Sequence, residues 1–164
     1  LANYTFKVSV KEIDRALKIV DQFRVDFERR QDLFLARMVQ RGIEIVREEL
    51  QLLIYDTPGL WTGDLRDSIR GGYDLKAKRG WVGTTLYYAK FVEFGTGMVG
   101  RKSPHPEYGE QGWVYKPEDR YWIYFNERSQ RFVATYGYRA RPFMWNAARR
   151  LEEEAVTIAK ELFG

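Results

Sequence analysis

The stretch Leu35–Leu53, LARMVQRGIEIVREELQLL, decides the architecture. Leu35, Val39, Ile43, Val46, Leu50 and Leu53 recur at spacings of three and four, the period of one helical face. Phe34, Met38, Ile45 and Leu52 widen that face, and charges such as Glu44 and Arg47 fill the other side. The pattern predicts a long helix from about Val25 to Tyr55. It must stop before Pro58, because the residue ahead of a proline avoids helical angles.

Upstream, Tyr4, Phe6, Val8 and Val10 alternate with Thr5, Lys7 and Ser9, which reads as a short strand with one buried face. Ser9 and Glu12 then fit a capping box, and Ile13, Ala16, Leu17 and Val20 give a first, separate helix its apolar stripe. Downstream, Thr57 to Ile69 is an ordered turn region in which Thr62 or Asp64 caps a short helical turn carrying Leu65. A hairpin follows from Ile69 to Thr85, with Lys76, Lys78, Arg79 and Gly80 near its tip. Tyr87 to Phe94 reads as a short helix, and Met98 to Gly112 as a Gly- and Pro-rich mobile loop. Strands are expected at Trp113–Tyr115 and Tyr121–Phe125, with a further one at Phe132–Tyr136. Pro142 suits the first position of a terminal helix, where its missing amide costs nothing. Met144, Ala147, Ala148, Leu151, Ala155, Ile158 and Leu162 form the stripe of that helix. The expected class is α+β: a long N-terminal helical segment and a C-terminal helix packed on a small, mostly antiparallel sheet.

Composition bounds the function. With 164 residues, the chain holds one domain with a real core. Aromatic residues make up 16% of it, more than one small core needs, so some rings are expected at subunit contacts. The absence of cysteine excludes disulfides and thiolate chemistry, and the single histidine, His105, excludes a multi-histidine zinc site within one chain. No metal or cofactor is expected. The net charge of +4 permits an anionic neighbour without demanding one. No apolar run reaches bilayer length, so no membrane partner is expected.

Three blocks in order carry a resemblance: Pro58 to Ile69, centred on Thr62-Gly63-Asp64-Leu65-Arg66-Asp67-Ser68-Ile69; Tyr88 to Gly97; and Ala140 to Ala147. Together they resemble the tailed-phage morphogenesis family of neck and tail-completion, or head–tail joining, proteins. The resemblance spans Val25 to Phe163. It implies a non-catalytic ring subunit that joins tail to head around the DNA path, assembled in the host cytoplasm and then part of the virion. Its implied partners are copies of itself and adjacent neck, head-closure or tail-terminator proteins. On this reading the chain is one domain over 1–164. Residues 25–97 and 139–163 form the family core, 1–24 an N-terminal extension and 98–138 an aromatic-rich insertion. The alternative is a non-catalytic nucleic-acid-binding module, suggested by the net charge and the aromatics.

Individual residues sort accordingly. Glu93, set among Phe91, Val92 and Phe94, is a candidate for structural ion pairing with Arg66, Arg139 or Arg141. Arg139 and Arg141 precede a helix N-terminus, where cations oppose the dipole, so either a carboxylate or a neighbouring subunit compensates them or both reach into water. Lys76, Lys78, Arg79, Arg101 and Lys102 are candidates to face DNA in a ring lumen; the alternative is that they are solvated edges. Trp61, Trp113, Tyr121 and Trp122 are candidate subunit contacts. His105, between Pro104 and Pro106, reads as a loop histidine. No paired acidic motif, phosphate loop or nucleophile–base set is present, and no enzymatic activity is expected.

Overall fold

A computed structural model of the chain describes residues 9–54, 63–107, 120–126 and 129–164. Helix α1 runs over Val10–Ile54, 45 residues without interruption. Its start is the expected capping box: the Ser9 amide and hydroxyl donate to Glu12 Oε2 at 2.9 and 2.8 Å, and the Glu12 amide donates back to Ser9 Oγ. The two helices expected on either side of Val25 are therefore one. Neither Gly nor Pro occurs between Ser9 and Arg41, so nothing stops propagation. Val10 opens the helix rather than closing a strand, and Tyr4, Phe6 and Val8 lie outside the described residues.

Helix α5, Phe143–Phe163, lies antiparallel along the second half of α1. Phe163 meets Phe27 and Phe34 at one end, and Asn146 reaches Glu49 at the other. The core sits near this second end. Ile45, Val46 and Leu50 of α1 pack with Leu65, Ile69, Val92, Phe143 and Ala147. Each large side chain buried there contributes about 1.5–3 kcal/mol. Leu65 rides on the expected short turn, α2 (Asp64–Asp67), whose cap position is Gly63.

The hairpin of β1 (Arg70–Asp74) and β2 (Arg79–Gly83) lies over α1, with Gly72 opposite Trp81. Close approach requires glycine: a Cβ on Gly71 would stand 2.7 Å from Val39 Cγ1. Helices α3 (Ala89–Phe94) and α4 (Gly97–Lys102) follow. The expected loop from Met98 thus begins as helix. A second hairpin, β3 (Trp122–Asn126) and β4 (Arg131–Thr135), is separate from the first. The two residues of β5, Gly137–Tyr138, bridge antiparallel to Gly97 and Thr96. The class is α+β, with two two-stranded antiparallel sheets among the described residues where one sheet was expected.

Candidate functional site

The best-determined polar cluster joins the second and third sequence blocks. Glu93, on α3, is buried at 7% exposure. Its Oε2 accepts the Met144 amide at 2.9 Å, and its Oε1 accepts the Trp145 amide at 3.1 Å. These are orphan donors of the first turn of α5, whose own cap residue, Pro142, offers no side-chain acceptor. A carboxylate from another element therefore caps the helix and complements its dipole. Beside it, the Arg141 amide donates to the Val92 carbonyl at 2.8 Å.

The remaining partner of Glu93 is His105, with Nε2 at 3.0 Å from Oε1. His105 is 3% exposed and packs between the rings of Phe94 and Trp145. Its Nδ1 accepts the Glu107 amide, so the ring proton resides on Nε2 and is donated to the carboxylate. A side-chain partner of Glu93 is thus a histidine, and His105, on a loop as expected, is buried there. Arg66 instead reaches Asp67 and Gln51. Arg139 is exposed, and Arg141 engages through its backbone. Glu93 nonetheless places a carboxylate at this helix start. Two neighbouring prolines gave no hint of burial for His105.

A second set of ion pairs laces α1 to α5. Arg41 makes a bidentate pair with Glu154 at 2.6 and 2.8 Å and also contacts Glu48. Arg150 bridges Glu48 and the buried Glu49. The Arg150 guanidinium holds the Glu48 carboxyl below the ordinary carboxylate range, and Arg41 does the same to Glu154. Glu154, in the run Glu152–Glu154, is thereby a clamp between helices, a role its neighbours at other helical angles do not share.

The candidate lumen residues divide. Lys76 and Arg79 are exposed at the hairpin tip, whereas the Lys78 ammonium is bound to Asp32 of α1. Arg101 and Lys102 are exposed in the last turn of α4. Of the candidate contacts, Trp61 and Trp113 lie outside the described residues. Trp122 is half-buried on the inner face of β3, near Gly97, while Tyr121 faces outward.

Two exposed apolar surfaces stand out, and of the candidate contacts Tyr121 lies on one of them. On α1, Ile13, Leu17, Val20 and Phe23 form an exposed stripe, continued by Phe27 where Phe163 meets it; Phe23 is 71% exposed. On the outer face of the second hairpin, Tyr121, Ile123 and Phe125 stand opposite Tyr136, Ala134 and Phe132, and Phe132 is 76% exposed. Among the described residues, no group of His, Asp and Glu could hold a metal ion, and no helix is long and apolar enough to cross a membrane.

A family model described as "Bacteriophage HK97-gp10, putative tail-component" matches residues 11–95. The match begins within the stretch expected to be an extension, so residues 11–24 of α1 fall inside it. No curated protein and no solved structure matches the chain.

Proposed function

Because this chain belongs to the HK97-gp10-like family of bacteriophage tail components, we propose that it is a structural subunit of the ring that joins tail to head around the DNA path. As a tail component it is a virion protein, and its contacts are with other virion proteins. Family membership carries the reading. Two apolar faces left exposed among the described residues support it, because monomeric proteins rarely expose large contiguous apolar surface. The exposed Lys76, Arg79, Arg101 and Lys102 are suited to loose, sequence-independent contact with duplex DNA passing through the ring.

The test is to delete the gene from its phage or prophage and examine the lysate by electron microscopy. A neck subunit leaves filled heads and finished tails unjoined, and antibody against the chain labels complete particles at the head–tail junction. Label distributed along the tail tube, or normal joined particles without the protein, overturns the reading.

A further inference from the structure

We infer that the projecting first half of α1 on one copy docks on the outer face of the β3–β4 hairpin of the next copy. The inference rests on the ring reading above and supplies its contact. The stripe of Ile13, Leu17, Val20, Phe23 and Phe27 begins where α5 ends: Phe163 meets Phe27, and among the described residues no element follows it further along α1. An unsupported helix of this length is marginal in water, so such a stripe calls for a partner.

Position excludes the chain's own hairpin. The hairpin is tied to the opposite end of the molecule through Gly97–Gly137 and Arg141–Val92, beside the start of α5. That start meets α1 at Glu49. From Leu17 to Glu49 the helix rises about 48 Å. Each five-residue hairpin strand spans only about 17 Å. Two apolar faces at opposite ends of one chain cover each other only between copies, which is a head-to-tail contact and closes a ring when the rotation permits.

Charge selects the same occupant. At 100° per residue, Asp14, Asp21 and Glu28 border one edge of the stripe, and Glu12 and Asp26 border the other. Lys11, Arg15, Lys18 and Arg29 fall on the opposite side of the helix. Arg24, inside the stripe, is paired with Asp21. A lipid-seeking helix carries its cations beside the apolar face; this one carries anions there. Arg120, Arg131 and Arg139, all exposed on or beside the hairpin strands, give that element the complementary charge. Twin helices pairing stripe to stripe bring these acidic borders together instead.

The chain has no cysteine, so single cysteines report the contact directly. Leu17→Cys and Phe132→Cys proteins are prepared separately, checked for an unchanged thermal melt, mixed at high concentration and oxidised. The expected product is a Leu17→Cys/Phe132→Cys heterodimer, several-fold above a mixture of Leu17→Cys with Glu153→Cys, and lost when Phe23→Glu is added. Leu17→Cys homodimers in excess would assign the stripe to a twin helix. Flotation with phosphatidylserine vesicles that depends on Leu17 would assign it to lipid. Either result, or no excess over the Glu153→Cys control, overturns the inference. Cross-linking without junction label in particles would retain this contact and remove the neck role.

Discussion

Glu93 and His105 stand 3.0 Å apart, both buried, and the same carboxylate receives the first amides of α5. One side chain thus fixes where α3 ends, how the segment after α4 returns, and where the terminal helix begins. Replacing Glu93 with Ala leaves two helix-start amides and the His105 Nε2–H without acceptors. The expected loss is about 2–4 kcal/mol, read from urea melts. Glu93→Gln retains an acceptor but not the charge and should lose less. Equal stability of the Ala variant would show that the cluster contributes nothing to the fold.

Gly137 has φ of +103°, and a Cβ there would collide with the Thr96 carbonyl. Gly137→Ala should cost about 2 kcal/mol or more, because no side chain fits and the angle is strained for an L residue. The position is outside the buried cluster, so a melt unchanged from wild type would mean that the Thr96–Tyr138 bridge is not formed in solution.

Acid should loosen the α1–α5 seam. Glu48 and Glu154 both release protons more readily when folded than at their ordinary value of 4.5. Groups with depressed folded values add stability above the unfolded value, and that stability is lost as pH falls through the folded one. The effect should be modest, about 1 kcal/mol, since the partners are part-exposed and screened. Arg41→Gln should flatten the melting-temperature profile below pH 4.5. An identical acid slope in wild type and variant would remove the pair from the stability balance.

One helix should show two stabilities. The stretch from Ile13 to Asp26 has no tertiary cover among the described residues, whereas that from Val39 to Leu50 lines the core. Hydrogen exchange should be faster in the first stretch by on the order of a hundredfold or more. Trypsin should cut at Arg15 or Lys18 before Arg101 or Lys102, which α4 holds in a helical turn. Uniform protection along α1 would mean that the first half is already covered in the free protein.

DNA binding should be weak and salt-sensitive. Lys76→Glu and Arg79→Glu should each lower the slope of log affinity against log salt by about one. Lys78→Glu should act mainly through lost contact with Asp32. A tight, sequence-selective complex at physiological salt would favour a dedicated nucleic-acid module over a neck subunit.

The sequence alone determined the elements whose signals are local. The periodic run from Leu35 to Leu50 made α1, the Ser9–Glu12 box set its start, and Pro142 marked the opening of α5. The short helical turn carrying Leu65 was legible, and so was the hairpin with Lys76–Gly80 near its tip, whereas the burial of Ile69 was not. Tertiary structure decided everything that depends on what lies opposite. Ile13, Leu17 and Val20 repeat as regularly as Val39, Val46 and Leu50, yet only the second group meets α5. Periodicity states that a face is apolar and is silent on whether the chain supplies its cover. His105 was unreadable for a related reason: its acceptor is twelve residues away and its neighbours are prolines, so only the return of the chain past α4 brings Nε2 to Glu93. Glu93 itself was legible as a carboxylate in need of a partner. Packing brought it the histidine and the helix amides, because α3 sets its carboxylate at the start of α5.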